Sequence, residues 1–170
     1  MGATFPATLV YLLAASSPSP SAAAIDRAVV ETGRADNLRV TGKKVILYGE
    51  QTNGPDTRHG KWACAKVVSI VLRQAGVKMN VERGVGGVER ALKGWTKVNA
   101  KKDLRVGDVV VWTSRWKGND DGSCTGGGTC HVGIYSSKGY FHNNPLSDRP
   151  TFDGIGLWGF RFKIAFRPPS

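Results

Sequence analysis

Residues 62–76, with the sequence WACAKVVSIVLRQAG, decide the fold of this chain. Apolar side chains recur there at helical spacing, which predicts a helix with one buried face. Its predicted members are Cys64, Val67, Val68, Val71, Leu72 and Ala75. Gly76 is expected to end the helix, because glycine readily adopts the left-handed conformation that follows a helix C-terminus.

Cys64 falls in the first turn of this helix, where free backbone N–H groups and the positive end of the helix dipole converge. That position stabilises a thiolate and predicts a lowered pKa for Cys64. The alternative is that Cys64 is a small buried hydrophobic residue, which is common for free cysteine. The helix alone supports both interpretations equally.

The chain has 170 residues, which is enough for one domain with its own core. Its 24 Lys and Arg exceed its 13 Asp and Glu, for a formal net charge of +11. A charge of this size favours an acidic partner such as nucleic acid, an anionic membrane surface or an acidic cell wall. The basic residues are scattered, so a solvated basic surface is the alternative.

The N-terminal residues have the pattern of an export signal. A short apolar run at 7–15 precedes a Ser/Pro segment at 16–21 and three alanines at 22–24. The run is too short to cross a bilayer as a helix. Because residues 2–9 contain no Lys or Arg, a linker after a fused segment is the alternative. We therefore expect a signal peptide or linker over 1–24 and a single secreted, periplasmic or cell-wall domain over 25–170.

The remaining pattern predicts an α+β fold with N-terminal helices on an antiparallel sheet of about five to six strands, ordered as a meander. Residues 34–44 are expected to form a loop or a short hairpin, and 85–95 a helix. A continuous apolar run at 109–112 predicts a strand buried on both faces. A hairpin is predicted over 131–143, and alternation at 160–167 predicts a final strand with a solvated cationic face that includes Lys163 and Arg167.

A cysteine nucleophile needs a base and a group that orients the base. His131 opens the first strand of the predicted hairpin and is the candidate base. Alternation places Phe141 and Asn143 on one face of the second strand, and His142 on the other. We prefer Asn143 as the orienting group because Phe141 suggests that its face turns inward; His142, otherwise a surface or rim residue, is the alternative.

Cys124 and Cys130 flank a short Thr/Gly loop, and a disulfide between them would agree with export. It would leave Cys64 as the one free cysteine. Two reduced thiols are the alternative. A zinc site with His131 is a third interpretation, but it lacks a fourth ligand. We therefore expect no metal.

These motifs, in this order, resemble the NlpC-type cell-wall peptidases, which are papain-like cysteine hydrolases related to the CHAP amidases. The family's Cys-x-x-x-Val-Ser helix start is similar to 64–69, its Leu-x-x-Gly-Asp strand to 104–111, and its His-Val-Gly-Ile-Tyr hairpin to 131–135. The match runs from Tyr48 to Asn143. It implies a papain-like fold with Cys64 as the nucleophile and His131 as the base.

The resemblance places the family's third polar residue on the strand after Gly139, where Asn143 is preferred. Tyr48 matches the family's tyrosine beside the site, and Trp62, two residues before Cys64, is expected to form a wall of the substrate cleft. The resemblance implies a peptidoglycan hydrolase that cleaves an amide bond in or next to the stem peptide by a Cys-His-Asn mechanism, without a cofactor.

The expected partners are peptidoglycan stem peptides and an anionic cell-wall polymer, with an inhibitor or immunity protein as a further candidate. Nucleic acid is not expected, and the chain is expected to be a monomer. One alternative is a CHAP-like amidase that acts as a secreted toxin or phage lysin. An alternative from another class is a catalytically inactive basic domain that binds cell wall or nucleic acid.

Overall fold

A computed structural model describes residues 20–60, 62–114, 130–144, 146–153 and 159–170. Within these ranges the helices are α1 (Ala22–Glu31), α2 (Cys64–Gln74) and α3 (Val85–Ala91), with 3₁₀ turns at Pro55–Thr57 and Lys101–Asp103. The strands are β1 (Leu38–Thr41), β2 (Lys44–Leu47), β3 (Glu50–Gln51), β4 (Thr96–Val98), β5 (Val109–Ser114), β6 (Cys130–Ser136), β7 (Gly139–Asn144), β8 (Arg149–Asp153) and β9 (Phe160–Arg167).

The α+β class is confirmed. The described strands form a three-stranded sheet in the order β1-β2-β3 and a six-stranded sheet in the order β4-β9-β5-β6-β7-β8, and every pairing is antiparallel. The predicted meander is correct for β5 to β8, which are neighbours in chain order, but it is wrong for the C-terminal strand β9, which inserts between β4 and β5. Of the two predictions for residues 34–44, the hairpin is correct, since β1 pairs with β2.

Helix α2 forms as predicted and packs against the six-stranded sheet. Seven of its residues are buried: Ala65, Val67, Val68, Ser69, Ile70, Val71 and Leu72. The chain leaves the helix through Gly76 at φ 92°, in the left-handed region that glycine adopts without a Cβ clash. Burial on several sides makes α2 the centre of the core rather than a helix lying on the surface.

The two faces of the six-stranded sheet are covered differently. One face, called here the helix face, carries Val109, Val111, Val132, Ile134 and Phe141 and packs against the three helices. The opposite face, called here the far face, carries Val110, Trp112 and Ala165, with Tyr135, Tyr140 and Phe160 packed beside them. Strand β5 is therefore buried on both sides, as its continuous apolar run predicts.

An ion pair joins the start of β5 to the end of β9. The Arg167 guanidinium donates to both carboxylate oxygens of Asp108, from Nε at 3.0 Å and from an Nη at 2.9 Å. The Asp108 side chain is 1% exposed, and it also accepts a hydrogen bond from the backbone N–H of Arg105. The prediction that Arg167 lies on a solvated cationic face is wrong, because this fork-shaped pairing draws it against the protein.

Replacing Arg167 with leucine is expected to lower the free energy of unfolding by about 3–5 kcal/mol, because it leaves the buried Asp108 charge uncompensated. Urea denaturation of the purified chain measures the change. Arg105→Leu is the matched control: it removes a neighbouring exposed cation but keeps the Asp108–Arg167 pair, so its effect should stay within about 0.5 kcal/mol. Equal losses in the two variants would contradict a specific role for the pair.

Helix α1 extends across the predicted boundary between signal and domain. The Ser21 hydroxyl caps the helix by accepting from the Ala24 N–H, so the alanines at 22–24 form its first turn. Ala22 also lies so close to Gly107 that a Cβ there would approach it to 2.7 Å. Residues 1–19 lie outside the described ranges. None of the helices that the structure describes is long and apolar enough to cross a membrane.

Candidate active site

Cys64 is the first residue of α2 and is half-buried against the helix-face core. Its thiol is free. The backbone N–H groups of Cys64 and Ala65, at the helix N-terminus, face the sulfur, as does the N–H of Val132 on β6. The helix start therefore brings the thiol to the strand residue that directly follows His131.

Burial raises the pKa of the Cys64 thiol. The three backbone N–H groups that face the sulfur lower it, but the loss of hydration outweighs them. The predicted lowering of the Cys64 pKa is therefore wrong for this structure, because the helix N-terminus lies against a core rather than in water. The resting side chain is a neutral thiol.

Two buried histidines form a pair on the far face. The Nε2 atom of His131 lies 2.9 Å from the Nδ1 atom of His142, and the two ring planes are inclined at 82°. His131 is 6% exposed and His142 is 1% exposed. The ring of His131 also packs against Phe160 and Trp112, with centroid distances of 5.4 and 6.3 Å.

Strand register explains this pair. Gly133 of β6 lies opposite His142 of β7, so His131, two residues earlier on the same face, is a diagonal neighbour of His142. A side chain at position 133 would collide with β7, since a Cβ there would lie 2.6 Å from the Phe141 carbonyl oxygen. Glycine thus allows the close strand approach beside the histidines.

Asn143 does not contact His131. It belongs to the opposite face of β7, and its side-chain amide donates to the Gly60 carbonyl at 2.8 Å. Asn143 was preferred because its face of β7 was expected to be buried. Both faces of β7 are buried, so burial does not distinguish Asn143 from His142. In this geometry His142 takes the position predicted for Asn143, while Asn143 ties β7 to the loop that leads into α2.

Cys64 and His131 approach the first residues of β6 from different faces. Cys64 lies with the helix-face core, and His131 lies with Trp112 and Phe160 on the far face. Among the described residues, no side-chain hydrogen bond joins the two. Nε2 of His131 faces His142, and no hydrogen bond to its Nδ1 atom is present among the described residues.

Burial, together with the nearby His142, lowers the pKa of His131 from 6.5 to about 3. Burial also lowers the pKa of His142. Both rings are therefore neutral near pH 7. In the unfolded chain they would take up protons at higher pH than in the fold, so acid favours unfolding.

The free energy of unfolding is expected to fall as the pH drops through the window from 6.5 to about 3 that the His131 shift defines. Each additional proton bound by the unfolded chain contributes a slope of up to about 1.4 kcal/mol per pH unit. Urea denaturation across this window measures it. His131→Gln should flatten the slope, whereas His59→Asn, at an exposed loop histidine, should not. Identical slopes in both variants would contradict this assignment.

Tyr48 and Trp62 make other contacts. The Tyr48 hydroxyl donates to the Ala28 carbonyl of α1, and burial, with a smaller effect of Glu31, raises its pKa to about 12. Trp62 is 37% exposed, and the Arg58 guanidinium stacks 3.5 Å from its ring centroid. Trp62 remains a surface aromatic residue two positions before Cys64, whereas the Tyr48 hydroxyl is committed to α1.

Cys130 is disulfide-bonded. Cys124, the partner that the sequence predicts, lies outside the described residues. Within the described residues no group of three or more His, Cys, Asp or Glu side chains could hold a metal ion.

The sequence interpretation named His142 only as the alternative to Asn143, and it missed Asp153. The signal for His142 was available, because a two-residue turn at 137–138 fixes a register that puts it on the face of His131. No such signal was available for Asp153, because its strand contains Pro150 and was not predicted from the sequence. The Asp153 carboxylate lies 3.6 Å from Nε2 of His142.

No protein-family model matches this chain, and no curated protein matches it at a significant level.

Proposed function

We propose that this protein is a papain-like cysteine hydrolase that cleaves an amide bond in or next to the stem peptide of peptidoglycan. The observation that carries the proposal is the meeting of a free cysteine with a histidine-bearing strand. Cys64 is the first residue of α2, and its free thiol faces the backbone N–H of Val132. Val132 directly follows His131, whose ring contacts His142. The motif resemblance supplies the substrate class.

In the proposed reaction the Cys64 sulfur attacks the amide carbonyl carbon while Nδ1 of His131 takes the thiol proton. The backbone N–H of Cys64, which faces the sulfur, stabilises the oxyanion that forms beside it. The protonated His131 then gives the proton to the leaving amine as the carbon–nitrogen bond breaks, and a thioester remains on Cys64. Water activated by His131 hydrolyses the thioester and restores the thiol.

The neutral resting state fits proton transfer that is concerted with attack. The thiol has a raised pKa and His131 has a lowered one, so the resting pair carries no charge. The proposed reaction requires the thiol and Nδ1 of His131 to come into contact in the substrate complex; hydrogen bonds between catalytic groups are often long in structures without substrate and tighten in the complex. His142 replaces Asn143 as the group that holds His131.

A basic cavity supports the proposed anionic wall partner. It has a volume of about 650 Å³ and lies beside β4, the second 3₁₀ turn and the end of β9. Lys97, Lys102 and Arg105 line it and are all exposed, and one carboxylate, that of Asp103, lies beside them. Their side chains form no ion pair among the described residues. These three cations could bind a phosphate-bearing wall polymer, so part of the +11 net charge would serve to attract this partner.

Digestion of purified peptidoglycan tests the proposed function. The wild-type protein is expected to release soluble fragments, and mass spectrometry of their new ends identifies the bond cleaved. Sacculi with several stem-peptide chemistries cover the endopeptidase and amidase forms of the proposal. The absence of new ends on every substrate, from a protein shown to be folded, would contradict it and favour a binding domain.

A further inference from the structure

Asp153 extends the histidine pair into a chain of three side chains. Its Oδ2 atom lies 3.6 Å from Nε2 of His142, whose Nδ1 lies 2.9 Å from Nε2 of His131. Nε2 of His142 is fully buried and has no hydrogen-bond partner in the part of the chain that the structure describes. Asn144 donates to the same carboxylate oxygen at 3.0 Å and holds it in place.

We propose that Asp153 is a positioning residue that fixes the tautomers of both histidines, so that the lone pair of His131 lies on Nδ1. The inference rests on the proposed function for its catalytic meaning, although the tautomers themselves do not depend on it.

The charge of Asp153 decides which nitrogen of His142 carries the proton. The carboxylate lies 3.6 Å from Nε2, beyond hydrogen-bond distance, so it acts through its charge: it favours a proton on Nε2 over a lone pair there. The competing group is the Asn143 carbonyl, 3.1 Å from Nδ1, which would favour the proton on that nitrogen. The Asn143 carbonyl is neutral, whereas the carboxylate carries a full charge that acts beyond hydrogen-bond distance, so Nε2–H is the favoured form of His142 in this proposal.

The tautomer of His131 follows from that of His142. When Nδ1 of His142 holds a lone pair, the 2.9 Å contact requires a donor on the other side, and Nε2 of His131 must carry the proton. A neutral imidazole has only one N–H, so Nδ1 of His131 then holds the lone pair. That lone pair is the acceptor that the Cys64 thiol needs in the proposed reaction.

Nitrogen-15 NMR of the full chain tests this assignment. Long-range proton–nitrogen correlations at neutral pH report which ring nitrogen is protonated, and the chain contains three histidines. We expect Nε2–H for both His131 and His142. The wild-type spectrum alone is decisive: Nδ1–H on either residue overturns the proposal, whether or not any variant folds.

Variants connect the tautomers to the carboxylate. Asp153→Leu is expected to move His142, and with it His131, toward Nδ1–H and to lower turnover by about 10²-fold or more, because the base then has the wrong tautomer. Asn144→Ala is the matched control, since it removes a contact to Asp153 but keeps the charge, so both histidines should stay Nε2–H. Unchanged tautomers in Asp153→Leu would overturn the proposal. Correct tautomers in a protein that cleaves no peptidoglycan would instead contradict the proposed function and leave the positioning role intact.

Discussion

Cys64→Ala is expected to abolish hydrolysis of peptidoglycan, with a loss on the order of 10⁴-fold or more, because the proposed thioester forms on the sulfur that this variant removes. Of the two cysteines in the described part of the chain, Cys64 is free, while Cys130 is disulfide-bonded and its sulfur does not ionise. The rate of release of new amino termini from purified sacculi measures the effect.

Controls must show that Cys64→Ala loses activity through the chemical step and not through unfolding. Removing one sulfur atom at a half-buried helix start should leave the helical content and the urea midpoint close to those of the wild type. Cys130→Ser is the matched control: it breaks the disulfide but keeps Cys64, so it should retain turnover while losing stability. Residual hydrolysis by Cys64→Ala above about one-hundredth of the wild-type rate would contradict the assignment of the nucleophile.

His131→Ala is expected to lower turnover by about 10²–10⁴-fold, the range that a general base contributes. The remaining activity should rise with pH, because solvent then deprotonates a thiol that burial keeps neutral. Rates of peptidoglycan cleavage as a function of pH show both effects.

Two further variants separate the base from its surroundings. His59→Asn removes an exposed loop histidine and should leave turnover unchanged. Asn143→Ala breaks the contact of β7 with Gly60 but not the contact of His131 with His142, so it should cost less turnover than His142→Ala. A larger loss in Asn143→Ala than in His142→Ala would restore the Cys-His-Asn arrangement and contradict the histidine pair.

Local patterns in the sequence predict much of the fold. The helical spacing after Cys64, the glycine stop at Gly76 and the continuous apolar run of β5 all give the right elements, because each depends on burial of a local pattern. Strand order is different. The insertion of β9 between β4 and β5 joins segments far apart in the chain, and no local pattern encodes that pairing.

The candidate site was predictable in composition but not in orientation. Cys64 and His131 stand out as residue types at informative positions, whereas the direction of the His131 ring depends on a register shared by β5, β6 and β7. The same holds for pKa values. The helix N-terminus suggests a low thiol pKa, but the packing of that terminus against β6 removes water and reverses the direction.

The alternation of charged and apolar residues in the last strand also gave a wrong prediction for Arg167. Arg167 alternates with apolar residues and so looks solvated, but its partner Asp108 comes 59 residues earlier in the chain. A long-range ion pair leaves no signal in the spacing of either residue, so only the fold identifies it.

Trapping of the acyl-enzyme tests the central claim, that Cys64 is the nucleophile of a hydrolase, most directly. The protein would be mixed with soluble peptidoglycan stem-peptide fragments, quenched in acid where thioesters survive, digested and mapped by mass spectrometry. The account predicts that the acyl part of the substrate is attached to the peptide that contains Cys64, and that the adduct is absent in Cys64→Ala. Turnover of the substrate with no adduct on Cys64, or with an adduct on another residue, would contradict it.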